Sequence, residues 1–198
     1  MSLFPYLQRL RVHVRGYAGF HKACGGTIAV RQHIRGQSLP ECGQFPVVQA
    51  GGLPNQFLGD AVLAIFGLSS QPSAACRQAL SAVPLVAANI DALNAALEQQ
   101  LQTKIRFGTG LHCGRAVMGE IGFREHVTFT AIGDPLNVAS RLEQLTKEVA
   151  CEAIVSEEVF QHAGVSAAGL PQLAARLRGR DEPMPVRVLS KAAQMPRA

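Results

Sequence analysis

The sequence predicts an α+β fold, a sandwich in which a sheet packs against helices, and three features lead to that prediction. Strand-like apolar runs alternate with stretches whose apolar residues recur at helical spacing. Several strand-like runs follow one another across short turns, which is typical of antiparallel hairpins. The chain has 198 residues, of which 47% are hydrophobic, and this suffices for one domain with a full core. No internal repeat is visible, so we expect a single domain over residues 1–198.

The N-terminal part of the chain has the least regular pattern. Residues 8–14 form a strand candidate, but between 16 and 43 repeated Gly and Pro residues interrupt any helical period. From Phe45 onward the pattern is clear and predicts a hairpin. Its second strand, over 61–66, is a continuous apolar run of the kind that fills a buried position in a sheet.

The second half of the chain predicts a regular alternation of elements. A helical region begins before Pro72, and Pro84 is expected to kink or divide it. An apolar stripe near period 3.6 continues to Leu101. The remaining predicted elements, in chain order, are strands over 104–112, 115–121 and 126–131, a helix over 135–147, a strand over 152–155, a short helix capped by Ser156, and a last strand over 186–189.

Composition narrows the classes of partner. The formal charge is +5 and the pI is near 9.2, which is compatible with nucleic acid or with a polyanionic small molecule. No Lys/Arg run interleaved with aromatic residues is present, and there is no Trp, so nothing supports a nucleic-acid groove. Charged residues make up 17% of the chain, below the roughly 25% of typical soluble domains. This deficit favours a subunit that buries part of its surface against a partner.

The cysteines and the apolar runs give an expected location. Five cysteines without any C-x-x-C spacing indicate neither a disulfide framework nor a zinc site, so a reducing cytoplasm is expected. The N-terminus lacks the pattern of a signal peptide. The longest apolar stretch, over 82–88, contains Pro84 and is followed by Asn89 and Asp91, so we expect no membrane span.

Residues 129–143 are the most informative segment. They predict a strand end, a Gly turn and a helix, with Asp134 as N-cap and Pro135 at the first helical position. Asn137 and Arg141 are four residues apart, so both leave one face of the helix roughly 6 Å from each other. An amide and a guanidinium directed at one point suit a phosphate group that gains charge. A capped surface helix with a solvated Arg is the alternative interpretation.

This segment resembles the signature helix of the class III nucleotidyl cyclases, the adenylate and guanylate cyclase catalytic domain, whose usual form is Ile-Gly-Asp-x-x-Asn-x-x-x-Arg. Two further segments resemble the same family in the expected order. Residues 57–67 resemble its strand–turn–strand with a metal-binding Asp, and residues 106–122 resemble its central hairpin. The likeness covers about 45–190 and implies a ferredoxin-like, split βαβ sandwich.

The resemblance implies a reaction and its residues. In the family the ribose 3′-hydroxyl of a nucleoside triphosphate attacks the α-phosphorus, with Mg²⁺ or Mn²⁺ at the attacking and leaving oxygens. Asp60 lies where the family places a metal-binding carboxylate; a turn Asp that bonds its own backbone is the alternative. Asn137 is expected to orient the ribose and Arg141 to stabilise the α-phosphoryl group. Asp134 is interpreted as a helix cap rather than a metal ligand. The family's active sites lie between two subunits, which implies a homodimer.

Other positions match residues that hold the nucleotide. Thr130 lies where the family chooses its base, and a Thr there suits adenine, so ATP is the expected substrate, with GTP as the alternative. Gln56 takes the place of the family's base-reading Lys. Arg180 matches a family cation near the triphosphate, although a solvated turn Arg is an equal alternative. Arg124 is one position out of phase with the family's phosphate-binding Arg. His112, inside a strand, is expected to be a hydrogen-bonded core residue.

The N-terminal segment departs from the family pattern. The family's first strand carries an Asp that binds both metals, and here the best counterpart is His13. A neutral imidazole supplies one nitrogen and cannot bridge two hard cations as a carboxylate does. Either the chain has diverged, or the residues before Phe45 are read in a shifted frame. Divergence allows a second function, a catalytically impaired module that binds nucleotide or dimerises for regulation.

Overall fold

The structure, a computed structural model, describes residues 23–33, 46–58, 61–99, 104–123 and 126–197. Within these ranges one mixed sheet is flanked by helices, which confirms the predicted α+β class. The strands are β1 (Ala23–His33), β2 (Leu53–Leu58), β3 (Ala61–Ile65), β4 (Arg106–Phe123), β5 (His126–Ile132), β6 (Ala153–Ser156), β7 (Gln172–Ala175) and β8 (Met184–Leu189). The helices are α1 (Pro72–Ala96), α2 (Asp134–Val149) and α3 (Glu157–Ala163), with a 3₁₀ turn at Ala192–Gln194 and a helical turn at 46–49.

The sheet runs in the order β2-β3-β1-β4-β6-β8-β7, and β5 pairs with the far end of β4. Among the described strands β4 and β6 are parallel and every other pair is antiparallel. The parallel pair is joined through α2, as a parallel connection requires. This arrangement places β4 at the centre of the fold.

Helices cover both faces of the sheet. Successive side chains of β4 point to opposite faces, so each face of this strand meets a different set of helices. Leu111 and Cys113 are buried in the same cluster as α1 and α3. Gly110 and Gly114 face the other way, against α2. The central strand is therefore buried on both sides, which explains its apolar and Gly-rich sequence.

Helix α1 begins at Pro72, with Gln71 as its N-cap residue, and it runs without a break through Pro84. The prediction that Pro84 kinks or divides the helix was wrong as to division, because nine buried side chains between Ala75 and Ile90 fix α1 against its neighbours. Among the described helices α1 is the one long and apolar enough, by length and composition alone, to cross a membrane. A helix packed into a core passes the same test.

Two other predictions were wrong in the sheet. The hairpin expected between 104–112 and 115–121 is the single strand β4, because β1 pairs with its first half and β5 with its second. The stretch after residue 16, where no regular element was expected, contains β1. This strand lies between β3 and β4, so pairing on both edges stabilises it despite its Gly residues.

Candidate active site

The first turn of helix α2 packs closely against strand β4 of the sheet. A Cβ at Gly114 of β4 would lie 2.5 Å from Cγ of Pro135, so only a glycine lets the strand pass this closely beneath the helix start. The N-cap residue is Gly133 rather than Asp134, and no side chain caps the helix. The predicted cap was wrong because the Asp134 carboxylate, in the first turn, forms an ion pair with Arg180 instead.

Asn137 and Arg141 lie one turn apart on the outward side of α2. Leu136 and Val138, on either side of Asn137, are buried and fix the rotation of the helix. Asn137 is exposed and Arg141 is half-buried. The structure thus brings both predicted side chains to one accessible face, next to the loop between β7 and β8.

That loop folds over the start of α2 through two arginines. The Arg141 guanidinium donates a hydrogen bond to the main-chain carbonyl of Arg178, and Arg180 donates to the Asp134 carboxylate. Gly179, between the two, has a φ of 78°, a conformation that favours glycine. The ion pair is partly exposed, with 34% and 62% of the two side chains accessible, so its net stabilisation is about 1 kcal/mol or less. A phosphate group could displace both contacts at small cost.

Gln56 and Thr130 meet at the edge of the sheet. Nε2 of Gln56 donates a hydrogen bond of 2.7 Å to Oγ1 of Thr130, although the residues are 74 positions apart. Oγ1 of Thr130 donates in turn to Oδ1 of Asn55 at 3.1 Å. Thr130 is buried and its two partners are half-buried, so these bonds are partly screened from water. The positions predicted to read the base are adjacent in the fold.

Asn55 is a site residue that the sequence did not reveal. Neighbouring residues of a regular strand point to opposite faces, so Asn55 and Gln56 would not share a partner. The pairing of β2 with β3 shifts between Pro54 and Gln56, which is a β-bulge. The bulge brings both side chains to Thr130, and no local signal in the sequence marked it.

His112 is a buried, hydrogen-bonded residue of β4, as the sequence predicted. Its Nδ1 lies 2.9 Å from Oγ of Ser156 and 3.8 Å from the exposed carboxylate of Glu158. The pKa of His112 is lowered from 6.5 to about 4, mainly by burial and also by nearby Arg180, while Asp134 partly opposes the shift. The imidazole is therefore neutral at pH 7.

We expect the protein to lose stability in mild acid because of this histidine. In the unfolded chain His112 binds a proton near pH 6.5, whereas in the folded protein it binds one only near pH 4. The free energy of unfolding therefore falls by about 3 kcal/mol as the pH drops from 6.5 to 4. Urea unfolding at pH 7 and pH 4.5 measures the loss, and His112→Gln should reduce it. His162→Gln, at an exposed position on α3, is the matched control. An equal acid loss in His112→Gln and the unchanged protein would contradict the assignment.

Not all of the residues discussed for metal and phosphate binding fall within the described ranges. Asp60, His13 and Arg124 lie outside the described residues. In the ranges that the structure covers, no group of three His, Cys, Asp or Glu side chains could hold a metal ion. The residues that flank Gly59 and Asp60, Leu58 and Ala61, pair with each other.

Strand β1 runs beside the start of β3. Arg31 of β1 pairs with Ala61, which follows Asp60 in the chain. Strand β1 ends two residues later at His33, where the backbone pairs with Arg106. The backbone of β1 thus reaches the first described residue after Asp60.

Comparison with known proteins gives a consistent result. The sequence model of the adenylate and guanylate cyclase catalytic domain matches residues 56–172. An adenylate cyclase of Anabaena cylindrica is 36% identical over 120 residues, 58% of this chain and 22% of that protein. Adenylate cyclase 1 of Rhizobium meliloti is 33% identical over 129 residues, 63% of this chain and 19% of that protein. The chain thus spans about a fifth of the length of these curated relatives.

Solved structures share the fold at low sequence identity. The adenylyl cyclase CyaB from P. aeruginosa is 17% identical with a TM-score of 0.65, covering 83% of this chain and 92% of that one. The guanylyl cyclase Cya2 is 17% identical with a TM-score of 0.67, covering 87% of this chain and 97% of that one. These likenesses bear on architecture alone.

Proposed function

This chain belongs to the adenylate and guanylate cyclase catalytic domain family, and we propose from that premise that it converts ATP to 3′,5′-cyclic AMP and pyrophosphate. The observation that carries the proposal is the hydrogen bond of 2.7 Å between Gln56 and Thr130. It joins two positions that the family resemblance assigns to base recognition, on strands far apart in the chain. A purine placed there would have its ribose and phosphates toward the β5–α2 segment, where Asn137 and Arg141 lie.

The side chains at the helix have separate roles in this reaction. Asn137 hydrogen-bonds the ribose and orients its 3′-hydroxyl toward the α-phosphorus. Arg141 exchanges the neutral carbonyl of Arg178 for an α-phosphoryl oxygen, which adds attraction between opposite charges and allows a bidentate contact with the guanidinium. Because the phosphoryl oxygens gain charge at the transition state, the same contact strengthens as the reaction proceeds.

Arg180 holds the leaving group in the proposal. Its guanidinium is paired with Asp134, and binding of a triphosphate exchanges that carboxylate for the β- and γ-phosphates. The surrounding loop also contains Arg176 and Arg178, and these cations are partly offset by Asp181 and Glu182.

Asp60 supplies the hard oxygen ligand that Mg²⁺ and Mn²⁺ prefer, and we assign it to the metal. A divalent cation held there would neutralise charge on the attacking and leaving oxygens. An imidazole in place of the family's other carboxylate weakens the site, so we expect Mn²⁺, which accepts nitrogen ligands more readily, to support more activity than Mg²⁺.

We further propose that the chain acts as a homodimer with active sites between its subunits. Val117 and Ile132 pair across β4 and β5 and are 58% and 56% exposed, and Phe57 on β2 is 53% exposed. Large apolar side chains that stay exposed on three strands of one sheet favour a covering partner. In such a dimer the carboxylate of Asp60 from one subunit faces Asn137 and Arg141 of the other.

A turnover assay with ATP and with GTP in Mn²⁺ tests the function. We expect cyclic AMP from the unchanged protein and a loss of at least ~100-fold in Asp60→Ala, since the substitution removes a metal ligand. Asp91→Ala removes an exposed carboxylate from α1 and should leave the rate unchanged. Measurable nucleotide binding without any cyclic product would contradict the enzyme and favour the catalytically impaired module.

A further inference from the structure

We propose that Asn55 is a positioning residue that fixes the direction of the hydrogen bonds through Thr130 and Gln56, and that it thereby selects adenine over guanine. This inference rests on the proposed function. It adds a residue and a physical mechanism for the choice of base.

The direction of the hydrogen bonds follows from one backbone group. The main-chain N–H of Ala131 can only donate, and it lies 3.4 Å from Oδ1 of Asn55. The amide of Asn55 is therefore oriented with its oxygen toward β5. The same oxygen lies 3.1 Å from Oγ1 of Thr130, so the hydroxyl must donate its single proton to Asn55.

The next step is fixed in the same way. With its proton committed to Asn55, Oγ1 of Thr130 can only accept from its other neighbours. The group of Gln56 that faces it at 2.7 Å is accordingly the Nε2 amine. The carbonyl oxygen of Gln56 can only accept, and Thr130 retains one lone pair that neither bond uses.

This polarity distinguishes the two purines. Adenine carries an amine at C6, a donor, where guanine carries a carbonyl oxygen, an acceptor. Acceptors on Gln56 and Thr130 bind the adenine amine and repel the guanine oxygen. The second N–H of Gln56 can donate to a ring nitrogen of adenine. Rejection of guanine is strong where buried polar groups would be left without partners, and Thr130 is buried.

Binding of nucleotides that cannot cyclise tests the inference without requiring turnover. The probes are 3′-deoxy-ATP and 3′-deoxy-GTP in Mn²⁺, and the measured quantity is the ratio of their dissociation constants, by calorimetry. We expect the unchanged protein to prefer the adenine analogue by at least about tenfold, and Asn55→Ala to lower that preference by about tenfold, because the Thr130 hydroxyl becomes free to donate to guanine.

Two variants separate the proposed role from a structural one. Asn55→Asp keeps an acceptor oxygen and should retain the preference to within about threefold. Thr130→Val keeps Asn55 and its backbone contact but removes the hydroxyl, so it should lower the preference as Asn55→Ala does, with no further loss in the double variant. Circular dichroism melting confirms that each variant is folded, and Thr130→Val provides the test if Asn55→Ala does not fold.

The possible results lead to different conclusions. Equal affinity of the unchanged protein for the two analogues, an unaltered ratio in folded Asn55→Ala, or loss of the preference in Asn55→Asp would each overturn the role of Asn55. Cyclic product from both ATP and GTP at equal rates would do the same and leave the nucleotidyl cyclase activity standing. Binding of neither analogue, with no cyclic product, would overturn the proposed function itself.

Discussion

Replacing Arg141 by alanine is expected to lower kcat for cyclic AMP formation by ~10²–10³-fold, the usual effect of removing a donor aimed at charge in a transition state. The KM for ATP should change much less, because the contact strengthens only as the phosphoryl oxygens gain charge. Arg141→Lys should recover little of the rate, since an ammonium group cannot reproduce the planar fork of the guanidinium.

The fold should tolerate the loss of Arg141. Among the described residues its guanidinium donates a hydrogen bond to the carbonyl of Arg178 on an exposed loop. Such a bond contributes about 1 kcal/mol, so the melting temperature should fall by only a few degrees. Lys147→Ala removes a cation from the same helix away from the cleft and serves as the control. A decrease in kcat of less than about tenfold for Arg141→Ala, with kcat of Lys147→Ala unchanged, would contradict the proposed role of Arg141.

Short-range sequence patterns correctly predicted the elements whose formation depends on the burial of their own apolar residues. The continuous apolar run predicted over 61–66 is β3, and the helix predicted over 135–147 is α2. In each case burial of one stripe or one short run decides the structure, and both signals are present in the sequence itself. Strand β5 was predicted over 126–131 and ends one residue later.

Features that depend on distant partners could not be predicted in this way. Strand β4 is long because β1 pairs with its first half and β5 pairs with its second half. Neither partner lies next to the midpoint of β4 in the sequence. The Asp134 carboxylate would suit an N-cap, but Arg180 lies 46 residues away and competes for it successfully. Short-range rules contain no information on such competition.

The candidate site shows the same division. Asn137 and Arg141 share a helix, so their common face follows from helical spacing alone. Gln56 and Thr130 were assigned through a family resemblance, and their contact joins residues 74 positions apart. Asn55 was missed because a β-bulge interrupts the alternation of side-chain direction that is expected of a regular strand.

Replacing Gly110 by alanine is expected to lower the free energy of unfolding by about 3 kcal/mol or more. A Cβ at this position would lie 2.2 Å from the carbonyl oxygen of Ala139 and 2.3 Å from the amide nitrogen of Glu143. Both atoms belong to the backbone of α2, and a backbone inside a helix cannot rotate away as a side chain can. The helix would have to move off the sheet, exposing part of the buried surface of Leu142.

The same strand contains the matched control. A Cβ at Gly119 meets no atom within 4 Å, so Gly119→Ala should leave the free energy of unfolding unchanged or raise it by up to about 1 kcal/mol, because alanine restricts the unfolded chain. Urea unfolding followed by circular dichroism measures both variants. An equally small effect of the two substitutions would show that α2 does not pack on β4 at Gly110. Since α2 carries Asn137 and Arg141, any Gly110→Ala protein that still folds should also lose most of the proposed cyclase activity, because a displacement of about 1 Å at a catalytic group can cost a hundredfold in rate.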